Sequence, residues 1–352
     1  MSKISGPDSP LKAVTWREMV QPYMTPDNKR SIWQIINSIL PLMAMYFLMY
    51  QSLAYSYWLT LALALPTGGF MMRVFIIMHD CGHGSFFKSA KANHWVGTIT
   101  GIMANTPYFQ WTREHAIHHA TSGDLDRRGA GDILTLTVKE YLARTKWGRF
   151  LYRLYRHPLV IFGIGPHYIF LFNVRFVGPH SGQRERRGVY LTNVALFTIW
   201  GSLIWALGLK TFLLVWLPVQ IVAGVVGVWL FYVQHQYENT YWQQHGDWDY
   251  PTAALMGSSF YKLPRLLQWF SGNIGFHHIH HLCPKIPNYK LQACHDENPF
   301  FQQAPTLRFW ESLRCAKLRL WDEEQQRLIT FGELKKSRAP LPQSELGNCA
   351  VE

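Results

Sequence analysis

Two stretches of this chain carry almost no charge, and each is long enough to cross a lipid bilayer twice. From Ile32 to Met78 there are 47 residues with Arg73 as the single charge, and from Val189 to Gln234 there are 46 with Lys210 as the single charge. About 20 apolar residues in a helix cover the hydrocarbon core of a bilayer. Each block therefore reads as two spans, about 32–50 and 57–78 in the first and about 189–207 and 212–234 in the second. The breaks fall near Gln51–Ser56 and Gly208–Thr211. A pair of helical hairpins buried in a soluble core is the competing reading, and runs this long and this free of charge speak against it.

An even number of crossings in each block leaves the N-terminal, middle and C-terminal segments on one side of the membrane. Of 34 Lys and Arg, 5 precede the first block, 15 lie between the blocks and 12 follow the second. The positive-inside rule then places all three segments, and both termini, in the cytoplasm. The net charge of +12 is accordingly read as attraction to anionic headgroups rather than to nucleic acid. "RERR", Arg184–Arg187, just before the second block, has the form of a juxtamembrane anchor, or of a plain solvated cluster. Two further apolar runs, Trp95–Trp111 and Pro158–Val174, are interrupted by prolines and read as re-entrant or interfacial rather than as crossings. The first 30 residues are polar and lack the apolar core of a signal peptide. The five cysteines form no Cys-x-x-Cys pair and read as reduced thiols, with Cys349 in a tail that is expected to be disordered from residue 335 to 352.

The histidines are the second constraint. His79 directly follows the first apolar block and His235 directly follows the second, so two helices deliver a histidine to the same face of the membrane. His83 completes "HDCGH", the middle segment carries "HAIHH" with His115, His118 and His119, and the C-terminal segment repeats that spacing with His277, His280 and His281. Residues at i, i+3 and i+4 share one face of a helix, so each cluster can aim two or three imidazoles at one point. Sixteen histidines placed at random rarely give H-x-x-H-H twice. By contrast His94, His157, His167, His180, His245 and His295 lie outside any such pattern and read as ordinary core or surface residues.

Imidazoles crowd together when an electrophile collects their lone pairs. Neutral imidazole suits Zn, Cu, Fe and Ni, and nine candidates are too many for one ion and suit two. Neither H-E-x-x-H nor Glu-x-x-His occurs, which sets aside the zinc-protease motif and the carboxylate-rich di-iron bundle. The expected site is a histidine-rich di-iron centre at the membrane–cytosol boundary. Asp80, Glu114, Asp124, Asp126 and Asp132 are the nearby carboxylates that could orient the ring N–H groups.

The three boxes "HDCGH", "HAIHH" and "HHIHH", in this order and separated by apolar hairpins, resemble the membrane fatty acid desaturase family. "FYVQHQYENTYW" and "GNIGFHHIHHLCPKIPNY" look like bacterial acyl-lipid desaturases of the omega-6, delta-12 kind, and the first box has the three-residue spacing of the acyl-lipid branch. The resemblance implies an all-α integral membrane protein: four transmembrane helices in two hairpins, with a cytosolic helical cap holding the di-iron site. The segments would be a cytosolic 1–31, a desaturase domain over 32–334 and the tail 335–352. Carried over residue by residue, the iron ligands are His79, His83, His115, His118, His119, His235, His277, His280 and His281. His278 falls on the variable position of the third box and is expected not to ligate, while Asn273 is a candidate for holding a water or orienting a ligand.

The implied activity is O2-dependent removal of two hydrogens from adjacent methylenes of a membrane-lipid acyl chain, with two Fe ions as cofactor and two electrons from outside. An apolar tunnel should lead from the site toward the membrane, with Tyr108, Phe109 and Trp111 as candidate lining. No His-Pro-Gly-Gly haem motif is present, so the electron donor should be separate, ferredoxin rather than cytochrome b5, and the location a bacterial inner membrane. Two rivals remain. A hydroxylase or carotenoid ketolase of the same superfamily shares the boxes. A histidine-rich metal transporter would need His, Asp or Glu within its spans, and neither block contains one.

Overall fold

The computed structural model describes residues 15–129 and 131–337. Cys349 and all of the predicted tail beyond Ser337 lie outside the described residues; residues 335–337 close a short helix, Phe331–Ser337. Among the described residues four helices are long and apolar enough to cross a membrane: α1 (Asn28–Ser52), α2 (Tyr57–His83), α5 (Gln183–Leu207) and α6 (Leu209–His235). Between them lie α3 (Ala90–Met103) and α4 (Tyr108–Thr121), and after them the short α7 (His277–Leu282) and α8 (Asn288–Glu297).

The punctuation of these helices follows from local chemistry. Asp27 caps α1, its carboxylate accepting from the N–H groups of Lys29 and Arg30 at 2.9 and 3.3 Å. Gly84, at φ +63°, ends α2 in the left-handed conformation that glycine adopts without steric cost. Gly208, at φ +80°, separates α5 from α6 within the predicted break. The contacts of α1 with α2 run in opposite directions along the chain: Ser52 meets Thr60, Met49 meets Thr67, and Ser38 meets Arg73.

Arg73, the lone charge of the first block, is buried and fully engaged. Its guanidinium donates to Ser38 Oγ and Asn37 Oδ1, both at 3.2 Å, and to the Trp269 carbonyl. It also lies over the Trp269 ring at 3.7 Å. A charge in an apolar span is tolerable only with such partners. Here it also pins the segment Arg265–Phe270 to α2.

The helices divide by exposure. α2 packs on α1, α3 and α6, and Gly68 lies so close to Val222 of α6 that no Cβ would fit. α1 and α5 turn large apolar side chains outward, among them Trp33, Phe47, Phe197 and Trp205, as helices bathed in lipid do. The chain is mostly helical, with two small sheets that the all-α expectation lacked. β1 (Leu136–Thr137) pairs parallel to β4 (Leu320–Asp322), which pairs antiparallel to β5 (Arg327–Ile329). β2 (Phe260–Lys262) pairs parallel to β3 (Thr306–Arg308).

Arg156 ties the first sheet to the end of α6. Fully buried, it donates to Tyr232 Oη, Gln236 Oε1, Thr135 Oγ1 and the carbonyls of Leu134 and Leu318, all at 2.9–3.0 Å. Of the two interrupted apolar runs, Trp95–Trp111 is split between α3 and α4 by a turn at Asn105, φ +54°. Pro158–Val174 forms wide π-helical turns, bent by 54° from the helix Lys146–Tyr155.

Candidate metal centre

Four helix ends converge on one point. α2 brings His79 and His83, α4 brings His115, His118 and His119, α6 ends on His235, and α7 carries His277, His280 and His281. The nine sort into two groups. His79, His83, His115, His119 and His280 form one, and His118, His235, His277 and His281 the other; within each, one nitrogen per residue lies within 4.8 Å of all the rest.

The helical repeat explains this sorting. Each i, i+4 pair stays together: His79 with His83, His115 with His119, His277 with His281. The i+3 member of each H-x-x-H-H box, His118 or His280, joins the opposite group, because it sits about 100° around the helix from its neighbour at i+4. The two boxes thus exchange one histidine each.

Nitrogen spacings within the groups are short. His118 Nε2 and His277 Nε2 stand 3.2 and 2.9 Å from His235 Nε2. His119 Nε2 stands 3.0 Å from His115 Nε2 and 3.1 Å from His280 Nε2. Two imidazole nitrogens bound at about 2.1 Å to one ion and at right angles to each other would lie about 3.0 Å apart. Among the described residues, His83 Nε2 and His281 Nε2 are buried without any hydrogen-bond partner, a costly arrangement unless something else meets the lone pair. Burial, followed by mutual repulsion, holds the basicity of His115, His119, His277, His280 and His281 well below the usual histidine range. They are neutral at pH 7 and their lone pairs are available. The donor set fits two ions that favour imidazole.

Acceptors on the far ring nitrogens fix the tautomers. Asp80 Oδ1 accepts from His79 Nδ1 at 2.9 Å, Asp132 Oδ1 from His118 Nδ1 at 2.5 Å, and the Gly257 carbonyl from His235 Nδ1 at 3.2 Å. Each leaves Nε2 facing the centre with its lone pair. Asp80 is held in turn by Asn288, whose backbone N–H and side-chain amide both donate to Oδ2 at 2.7 Å.

The other predicted orienting groups are engaged elsewhere. Asp124 accepts from Arg127 and from His245 Nδ1 at 2.5 and 2.8 Å, and Asp126 accepts from the His245 backbone. Both follow the end of α4, where the chain turns away from the cluster. Asn273 adopts φ +58° in the turn before α7 and donates to the Asn288 carbonyl at 3.3 Å, so it shapes a loop and hydrogen-bonds to none of the nine. Glu114 lines the adjoining cavity. His278 points away from the centre and packs near His295, ring centroids 5.4 Å apart.

Sequence reasoning missed Asn288, and also Tyr250, whose hydroxyl donates to the His281 carbonyl at 2.6 Å. Asn288 lies within the quoted "PKIPNY", so its place after the third box was the available signal.

An apolar cavity of about 420 Å³ opens from this centre, within the size range of small-ligand sites. His79, His115, His118 and His277 form one end; Met71, Phe75, Trp111, Phe170, Gly224 and Phe231 line its length. Trp111 stacks on His115, centroids 4.4 Å apart. Tyr108 and Phe109, expected beside it, pack elsewhere: Tyr108 donates to the Cys81 carbonyl at 2.8 Å, and Phe109 lies under Arg184.

Helices apolar enough to span a membrane, a cage of histidines that could hold metal ions and an apolar cavity against it are the features of a metal-using enzyme of the membrane. The family model for fatty acid desaturases matches residues 56–311, and the chain belongs to that family of oxidoreductases. It is 45% identical over 325 residues to a fatty acid desaturase of Bacillus subtilis, covering 92% of each chain. It is 26% identical over 344 residues to an sn-1 oleoyl-lipid 12-desaturase of Synechocystis, covering 94% of this chain and 96% of that one. An sn-1 acyl-lipid omega-3 desaturase (ferredoxin) of Synechocystis is 27% identical over 235 residues, 64% of this chain and 63% of that protein.

Proposed function

We propose that this protein introduces a cis double bond into an acyl chain of a membrane lipid, at a di-iron centre held by the nine histidines. His79, His83, His115, His119 and His280 would hold one iron, and His118, His235, His277 and His281 the other. The observation that carries this reading is the cavity: an apolar channel that reaches four of the nine histidines. When bound, the iron pair supplies, with O2, the oxidising power needed against unactivated C–H bonds.

The protein's own part is placement. The cavity walls hold an extended chain with one pair of methylenes beside the histidines. Trp111, stacked on His115 and lining the same cavity, keeps water from the reacting carbons. Asp80, Asp132 and the Gly257 carbonyl hold the imidazole tautomers. Per turnover, two hydrogens leave the chain; with two electrons and two protons from outside, O2 ends as two waters.

The regiochemistry is read as delta-12, omega-6, supported by the similarity to the Synechocystis 12-desaturase over nearly the whole chain. The electron donor is read as a separate ferredoxin, supported by the ferredoxin named for one relative. The four spans form two hairpins in a bacterial inner membrane, with the histidine-bearing cap and both termini cytoplasmic, supported by the distribution of Lys and Arg.

Expression in a host lacking such an enzyme, followed by gas chromatography–mass spectrometry of its lipids, tests the reading. A new double bond, lost in His118→Ala, is expected. Hydroxylated lipids or altered carotenoids without a new double bond refute it, and a double bond elsewhere refutes the delta-12 part alone.

A further inference from the structure

The apolar cavity ends on polar groups. Of the α6 residues that line it, Gln220 lies farthest along the helix from His235, and Ala104 also lines it. Gln220 Oε1 accepts from Asn105 Nδ2 at 2.6 Å, and its Nε2 donates to Tyr46 Oη at 3.4 Å. The Asn105 carbonyl accepts from Arg175 Nη2. Arg175 Nη1 donates to Asn193 Oδ1 at 3.2 Å, and Asn193 Nδ2 returns a hydrogen bond to the Arg175 carbonyl at 2.8 Å. Residues from α1, α5, α6, the end of α3 and the bent segment Leu159–Arg175 thus meet in one network.

Polar side chains inside membrane-spanning helices are costly unless satisfied. Apart from Arg175 Nε, which has no partner among the described residues, these are satisfied by one another, which makes the network stiff. An end wall of Leu or Met could rearrange around one more methylene; a hydrogen-bonded wall gives way only by breaking its bonds. Only a methyl terminus can reach it, because a headgroup or ester drawn down an apolar cavity would lose its water without replacement.

We propose that Gln220, held from behind by Asn105, forms the floor on which the methyl end of the acyl chain stops, so that it selects chain length and the methylene pair presented to the histidines. The proposal rests on the desaturase reading. A fixed floor measures the chain from its methyl end, and moving the floor moves the product.

The test compares wild type, Gln220→Ala and Ala104→Leu in one host, with chain length and double-bond position read by gas chromatography–mass spectrometry and iron measured per purified chain. Gln220→Ala deepens the cavity and should favour longer chains, or shift the double bond toward the carboxyl end. Ala104→Leu fills the same end and should do the opposite. One methylene in an apolar pocket changes preference by about 10-fold or more, and a change of about that size in the ratio of longer to shorter products is expected. Ala104 offers no side-chain hydrogen bond to the network, so that variant carries the test alone should Gln220→Ala fail to accumulate. Wild-type product distributions in active, iron-loaded variants overturn the floor. No new double bond from the wild type overturns the desaturase reading instead.

Discussion

Asp80→Asn isolates what a carboxylate behind a histidine contributes to this centre. The Asp80 side chain is almost wholly buried and divides its oxygens: Oδ1 accepts from His79 Nδ1 at 2.9 Å, while Oδ2 accepts two N–H groups of Asn288 at 2.7 Å. Asparagine has the same shape but one acceptor. If its oxygen faces His79, its amide N–H2 meets the two donors of Asn288 and three groups lose their partners. If it turns over, the amide donates to His79 Nδ1 and forces the proton onto Nε2, the atom that faces the centre. Either choice leaves a defect. An unsatisfied buried group costs about 1–3 kcal/mol, and loss of a carboxylate behind a ligating histidine typically weakens metal binding by about 10–100-fold. Iron retention by detergent-purified protein, titrated against a chelator and read by mass spectrometry, should show a weakening in that range, with a lowered thermal unfolding midpoint. Asp124→Asn is the control, since Asp124 binds Arg127 and His245 and none of the nine. Wild-type iron retention in Asp80→Asn, or an equal loss in Asp124→Asn, would refute the reasoning.

Three further outcomes are expected. His278→Phe should keep wild-type iron content, because His278 packs beside His295 and outside both groups, whereas His277→Phe should lose at least one iron per chain; metal analysis of the pair decides it. Arg156→Met should lower thermal stability by about 3 kcal/mol or more, because at least five acceptors lose a buried charged donor, as a fluorescence melt in detergent would register. The third concerns pH. Burial lowers the folded-state pKa of His115, His119, His277, His280 and His281 below the unfolded value of about 6.5. Between those values the unfolded chain binds more protons, so stability rises with pH. The chelator-treated protein should therefore keep its full melting temperature above about pH 6.5 and lose it progressively below; a melting temperature unchanged from pH 7.5 to 5.5 would contradict this.

The spans and the nine histidines were legible because both are repeating patterns. Charge-free length identifies a span whatever it packs against, and H-x-x-H-H states a helix face in five residues. The division into two groups of five and four is a property of the assembled helices. The spacing says that His118 and His119 point about 100° apart, but only the position of α6 shows that His118 meets His235 while His119 meets His115 and His280.

The carboxylates show the same limit from the other side. Asp80, Asp124, Asp126 and Asp132 all lie near a histidine box in the sequence, yet two orient histidines of the centre and two hold a loop. Asp80 sits on the same helix turn as His79 and cannot turn away. Asp132 is reached only because the chain after α4 doubles back, and it does so through Gly131, whose φ of +74° sets it against the Glu114 carbonyl and His118. Gln220 carried no pattern at all, being a single amide among apolar neighbours, and Asn288 was marked only by its place after the third box. Their importance comes from cost: a polar group buried in an apolar setting must be paired, and its partner, Asp80 for one and Asn105 for the other, assigns the role. In a protein of this kind repeats announce the chemistry, and isolated buried polar residues mark where its geometry is held.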